Sequence, residues 1–91
     1  MNLTEPLSDF VGSEVVLDVT SPYVYIGRLA GEDTHYFILE EADAHDLRDS
    51  SSTRELYILD SRRHGIGANR RRVCVMKSQV VSISRLEDVM E

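Results

Sequence analysis

YIGRLAGEDTHYFILEEADAHD, Tyr25 to Asp46, reads as two β-strands joined by an acidic turn. Tyr23 to Ala30 is rich in β-formers, and Gly31-Glu32-Asp33-Thr34 supplies the reversal. Tyr36 to Glu40 forms the returning strand. Gly27 lies inside the first of the two, where a residue without Cβ permits the sharp coiling that bends a small sheet on itself.

Upstream, Thr4 is placed as an N-cap, with Glu5 in the first turn and Pro6 where a missing N–H costs nothing. Leu7, Phe10 and Val11 then share one helical face, and Gly12 supplies the stop. Glu14 to Val19 alternates, with Val15, Leu17 and Val19 on one side and Glu14 and Asp18 on the other, before Thr20-Ser21-Pro22 turns the chain. Downstream, a polar insert runs over roughly residues 46–71. Within it Ser52 and Glu55 have capping-box spacing, and Gly65 follows Arg62-Arg63-His64, cations suited to a helix C-terminus. This predicts a short helix over the segment, with a strand at Leu56 to Leu59 as the competitor.

Two further strands are expected at Arg72 to Lys77 and Val80 to Ser84, joined by Ser78-Gln79 and followed by a short polar tail, residues 86–91. In both, apolar residues occupy both faces: Val73 and Val75 alternate with Cys74 and Met76, and Val80 and Val81 precede Ile83. A strand apolar on both sides is covered on both sides. Val73, Val75, Met76, Val80, Val81 and Ile83 are therefore the expected contact with another subunit.

Ninety-one residues make one domain, 1–91, and too few for two. A domain this small buries only about two-thirds of its unfolded surface, so assembly with itself would stabilise it. No apolar run reaches membrane-spanning length, and the start shows neither a basic nor an apolar leader region. A lone cysteine, Cys74, fits a reducing compartment, so the cytoplasm is expected. Formal net charge is −6, unevenly spread. Residues 1–61 hold three basic side chains against thirteen acidic ones, whereas residues 62–86 hold seven basic and none acidic. Such asymmetry points either to an electrostatic partner surface or to basic strands neutralised by acidic hairpins within the fold.

In this order of elements the chain resembles the Sm-like (LSm) family, as a divergent bacterial-type member with a longer insert between strands 3 and 4. DFVGSEVVLDV resembles the family's N-terminal helix and first strand, and YIGRLAGEDTHYFILEEA its first signature, with Gly27, Leu29, Asp33, Leu39 and Ala42 in the family's places. VCVMKSQVVSI resembles the second signature, with Val75 and Val80 to Ile83 in its apolar places. The resemblance implies a mainly β fold, a strongly bent five-stranded antiparallel barrel with an N-terminal helix. It also implies rings in which the fourth strand of one subunit pairs with the fifth of the next, and a slot for uridine-rich RNA. Two positions depart from the family: Phe37 replaces the asparagine expected four residues after Asp33, and Met76-Lys77 replaces the Arg-Gly of the second signature. The side chains that hydrogen-bond the base in the family are thus absent, while Tyr36 and Phe37 offer rings for stacking.

Guanidinium groups at Arg62, Arg63, Arg70, Arg71 and Arg72, with Lys77, bracket a glycine loop and suit phosphate oxygens. The competing reading pairs them with Asp43, Asp46 and Asp49 or with a neighbouring subunit. His35, His45 and His64 with nearby aspartates match no metal-ligand spacing and read as exposed loop residues. Cys74, between valines and without a basic neighbour at fixed spacing, reads as a buried inert thiol. No nucleophile elbow, paired carboxylates or phosphate loop is present, so neither an enzyme nor a cofactor site is expected. The sequence predicts an Sm-like oligomeric ring protein that binds RNA through Arg62, Arg63, Arg70, Arg71, Arg72, Lys77, Tyr36 and Phe37. The alternative is an oligomeric protein–protein scaffold or regulatory module without RNA binding.

Overall fold

The computed structural model describes residues 5–49 and 51–91, with side chains from Leu7 onward. Helix α1 (Glu5–Ser8) is a single turn; the Thr4 cap expected for it lies outside the described residues. Strands β1 (Glu14–Val19), β2 (Tyr23–Glu32) and β3 (Tyr36–Asp46) follow. Helix α2 (Arg54–His64) fills the insert, and β4 (Arg70–Met76) and β5 (Val80–Arg85) close the chain, joined by a 3₁₀ turn at Lys77–Gln79. Every neighbouring pair is antiparallel, in the order β4-β3-β2-β1-β5. The sheet is open: β4 and β5 form its two edges and do not pair with each other.

Alternation places Val15, Leu17 and Val19 of β1 with Leu29, Phe37, Leu39, Ala42 and Val75 in one buried cluster, against which Leu7 and Phe10 pack. The opposite face is also dry. Val16, Val24 and Ile26 meet Ile58 of α2 and Leu86 in a second cluster. The helix thus does for this sheet what a second layer does elsewhere, and β1 is buried on both faces where alternation alone predicted one.

Gly27 marks where β2 and β3 bend. Ile26 pairs with Asp43 and Arg28 with Glu40, so Gly27 faces two residues, and Glu41 takes up the extra one with φ of 48°. A Cβ on Gly27 would lie 2.7 Å from the Ala42 Cβ, a contact only glycine avoids.

Strand β3 runs six residues beyond the expected Glu40, so Asp43-Ala44-His45-Asp46 is strand and not exposed loop. The reason is a polar network that hydrophobic alternation does not reveal. Asp43 is 3% exposed, yet its carboxylate accepts hydrogen bonds from the Tyr57 hydroxyl of α2 and, at 3.2 Å, from the Asn69 side-chain amide. Asn69 also bonds both backbone groups of Ala44, and its own N–H donates to the Ala42 carbonyl. The His45 ring stacks on Tyr57 with centroids 3.8 Å apart and planes 7° from parallel. Burial first, then the Asp43 hydrogen bond, hold the Tyr57 hydroxyl well above its usual pKa. At the other end of α2, Thr53 and not Ser52 is the N-cap, its hydroxyl accepting from the Leu56 N–H at 3.2 Å. Arg54 ties this end to the β1–β2 turn through Asp18 and the Tyr23 carbonyl. Among the described residues no helix is long and apolar enough to cross a membrane.

Candidate functional site

The turn between β2 and β3 is built on Asp33. Its carboxylate accepts the backbone N–H groups of His35 at 2.8 Å and Tyr36 at 2.7 Å, and its own N–H donates to the Tyr36 carbonyl. These two donated hydrogen bonds, the one from His35 foremost, hold the exposed Asp33 carboxyl below its ordinary pKa. The Lys77 N–H donates to the His35 carbonyl at 2.8 Å, drawing the β4–β5 turn onto the β2–β3 turn. Together with the end of α1 they border a hollow of about 420 Å³ lined by Ser8, Val11, Glu32, Asp33, Thr34 and Lys77.

The Lys77 ammonium pairs with the Glu32 carboxylate and sits 5.1 Å from the centroid of the Phe37 ring. Phe37 itself is 6% exposed and belongs to the core. Tyr36, next to it in sequence, is 37% exposed. The hollow therefore presents two carboxylates, one of them already paired, and a lysine engaged at both ends of its charge.

The remaining basic residues fall in two other places. Arg62 and Arg63, in the last turn of α2, both reach the Glu91 carboxylate. Arg70, Arg71 and Arg72 are exposed on the edge strand β4, and among the described residues no carboxylate lies within ion-pair distance of any of them. Two of the three aspartates read as competing partners are occupied otherwise: Asp43 is buried by Tyr57 and Asn69, and Asp46 is paired with Arg48 at 2.7 Å. The sequence thus names eight residues for one RNA surface, and the structure distributes them over a turn, a helix end and a sheet edge.

Of the expected contact residues, Val73, Val75, Val80 and Ile83 face the core cluster of their own chain. Met76, 50% exposed, and Val81, 69% exposed, face outward. Cys74 is exposed, contrary to the buried thiol read from its apolar neighbours. On β4 the positions alternating with Val73 and Val75 have no layer over them, since α2 covers β1 and β2 and not this edge. Among the described residues no group of three or more His, Cys, Asp or Glu is placed to hold a metal.

One feature of the surface escapes sequence reading altogether. Glu14 of β1, Arg28 of β2, Glu40 of β3 and Arg72 of β4 are successive cross-strand partners, an alternating row of charge that ends at the β4 edge. Arg28 and Glu40 are joined at 3.0 Å. The four residues stand far apart in sequence, and only the register aligns them.

No protein-family model matches the chain, and neither does any curated protein. Solved structures do. The chain is similar to an Sm protein of Pyrococcus abyssii solved in complex with a uridine heptamer, at TM-score 0.63 and 15% identity, over 93% of this chain and 99% of that one. It is also similar to a chain of the NatC complex solved bound to Gag peptide and CoA, at TM-score 0.55 and 22% identity, over 85% of this chain and 86% of the other. At such identities the likeness is one of architecture, and five antiparallel strands in the order β4-β3-β2-β1-β5 with one helix added in the insert make this an Sm-like fold.

Proposed function

We propose that this protein is an Sm-like assembly module, a scaffold that joins edge to edge with other copies of itself into a closed ring. The observation that carries the reading is the open sheet, whose two edges, β4 and β5, each leave a row of backbone N–H and C=O groups unmatched. Natural proteins cover, blunt or pair such edges. Here β4 is seven residues long and its exposed positions include Cys74 and Met76, so it is neither short nor blunted by proline. Pairing one kind of edge with the other repeats the same contact head to tail, which closes into a ring when the rotation allows. Sedimentation velocity at micromolar concentration is the test. A mass several times that of the 10.3 kDa chain is expected, and a monomer at high micromolar concentration overturns the reading.

The hollow at Asp33 favours a protein scaffold over a uridine reader. Phe37 and Met76 stand where the family resemblance implies base-binding side chains; Phe37 is in the core, Met76 is apolar and half exposed, and the adjacent Lys77 is bound to Glu32. A second reading, RNA held by its phosphates, draws on the exposed Arg70, Arg71 and Arg72. Titration with an oligo-uridine and a mixed-sequence RNA across a salt series separates the two. Micromolar binding that weakens steeply with salt supports the phosphate reading, and no binding at low salt leaves the scaffold.

A further inference from the structure

Strand β3 pairs with β4 so that Tyr36 lies level with Met76 and Ile38 with Cys74. Opposed residues share a face of a sheet, as do residues two apart on one strand. These four side chains therefore stand together, on the face away from Phe37, Leu39, Val73 and Val75. Met76 is 50% exposed, Tyr36 and Cys74 are exposed, and Ile38 is half-buried yet belongs to neither core cluster. Gly31 of β2, level with Ile38, brings no side chain over it. On the same face the row Glu14–Arg28–Glu40–Arg72 runs between this apolar group and Val16 and Ile26, which α2 covers. Arg72, with Arg71 and Arg70 beyond it on β4, has no acidic partner among the described residues. The sheet thus carries a second apolar area, bordered by unpaired cations, over which no layer lies among the described residues.

Helix α2 carries the complementary pattern on the side turned away from its own sheet. Its buried residues are Ile58 and Ser61, whereas Leu56 is 52% exposed and Leu59, one turn on, is half-buried outside both core clusters. Glu55 and Asp60 border the two leucines, exposed, and no cation lies within ion-pair distance of either among the described residues. Arg63 follows on the same side and is engaged by Glu91. We propose that α2 of one copy docks on the β3–β4 face of a second copy, Leu56 and Leu59 against Ile38, Cys74 and Met76, with Glu55 and Asp60 meeting Arg70 and Arg72. The contact joins a helix to a sheet face, uses no backbone edge, and is additional to edge-to-edge assembly. It cannot form within one chain, because the side of α2 that carries Ile58 already lies on the sheet. RNA phosphates would satisfy the arginines and leave the apolar pairs in water, whereas this helix meets both. Burial of the apolar side chains supplies attraction, and the unpaired charges select which surface is covered.

Cysteine cross-linking tests this, because Cys74 is the chain's one thiol and lies in the proposed contact. Full-length protein carrying Leu56→Cys with Cys74→Ser is mixed with the wild type at high micromolar concentration in low salt and oxidised with glutathione disulfide. A disulfide between position 56 of one chain and Cys74 of the other can form only between copies, and peptide mass spectrometry identifies it. The control is Val11→Cys with Cys74→Ser, since Val11 is equally exposed on a different surface. All the substituted sites are exposed, and circular dichroism with thermal unfolding checks that each variant folds as the wild type does. The link at position 56 should form about tenfold or more faster than the control link. Arg70→Glu with Arg72→Glu in the Cys74 chain should bring it down to the control rate, and Glu55→Lys with Asp60→Lys in the other chain should restore it, because opposite charges then face each other again. Linking at the control rate in the unaltered pair overturns the contact. Linking that ignores the charge reversal overturns the match of α2 to this face. Linking at the control rate together with RNA binding that the arginine substitutions abolish assigns Arg70 and Arg72 to RNA instead.

Discussion

Replacing Gly27 by alanine tests the bend on which the positions of both edges depend. The new methyl carbon would sit 2.7 Å from the Ala42 Cβ, 2.9 Å from the Ala42 Cα and 3.3 Å from the Glu40 carbonyl oxygen. Carbon atoms in contact are about 3.5–4.0 Å apart, so the shortfall is roughly 1 Å. Two of the three neighbours are backbone atoms, and they belong to the segment where Glu41 already takes a left-handed conformation, so no side chain can swing aside. Overpacking of this kind costs about 1–3 kcal/mol. Alanine recovers about 0.4–1 kcal/mol by restricting the unfolded chain. A net loss near 1–2 kcal/mol follows, and at about 4–8 °C per kcal/mol for a domain this size the melting temperature should fall by roughly 10 °C. Urea unfolding followed by far-ultraviolet circular dichroism measures it, at one protein concentration throughout because the proposed assembly would make stability concentration-dependent. The companion change Ala42→Gly removes the 2.7 Å contact and leaves the one at 2.9 Å. The double variant should therefore be more stable than the sum of the two single losses by at least about 0.5 kcal/mol. A Gly27→Ala protein as stable as the wild type, or strict additivity in the pair, refutes the steric account of the bend.

Tyr57→Phe removes a hydroxyl donor from the buried Asp43 carboxylate and should cost about 1–3 kcal/mol in urea unfolding at neutral pH. Because the Tyr57 pKa is raised in the folded state, its protonated form is the one folding favours. That contribution is complete below about pH 10, the ordinary tyrosine value, and is lost as pH rises beyond it, so the wild type should weaken above pH 10 more steeply than Tyr57→Phe. Equal slopes would show that the hydroxyl is not linked to folding. Val81→Asp alters a side chain that is 69% exposed, so unfolding of the single chain should change by no more than about 0.5 kcal/mol while the sedimenting mass falls. An unchanged mass would remove Val81 from the contact.

The strands of the hairpin and of β1 were legible because β-branched and aromatic residues cluster there between turn signals, and because Asp33 and Gly27 stand at positions whose geometry narrows the choice of residue. Helix α2 was legible from its caps, to within one residue of the true N-cap. What stayed hidden was set by pairing between distant residues. Asp43 and His45 read as loop residues because charge and polarity ordinarily mean exposure; the burial of Asp43 depends on Tyr57 and Asn69, fourteen and twenty-six residues away, and His45 is half-buried against the Tyr57 ring. Cys74 read as buried because valines flank it, but along a strand its neighbours in sequence lie on the opposite face. The basic residues read as one surface because they are close in sequence, and the fold separates Arg62 and Arg63 from Arg70–Arg72 by a glycine loop and from Lys77 by the length of β4.

The case for a neighbour also changes in kind once the register is known. From the sequence it rested on apolar side chains pointing both ways from the last two strands. In the structure Val73, Val75, Val80 and Ile83 all point one way, into their own core, and only Met76 and Val81 remain as substantial outward apolar groups. Two side chains, half and two-thirds exposed, are ordinary for a monomer and by themselves demand nothing. The stronger demand comes from the backbone. Outward-facing N–H and C=O groups on two edges of compatible length, seven residues and six, gain matching hydrogen bonds only from another strand. Side-chain grease would accept many partners and any direction, whereas a strand edge with arginines at one end accepts few. On this surface hydrogen-bond geometry and charge thus narrow what can pair, and the large exposed apolar side chains of the two edge strands are Met76 and Val81.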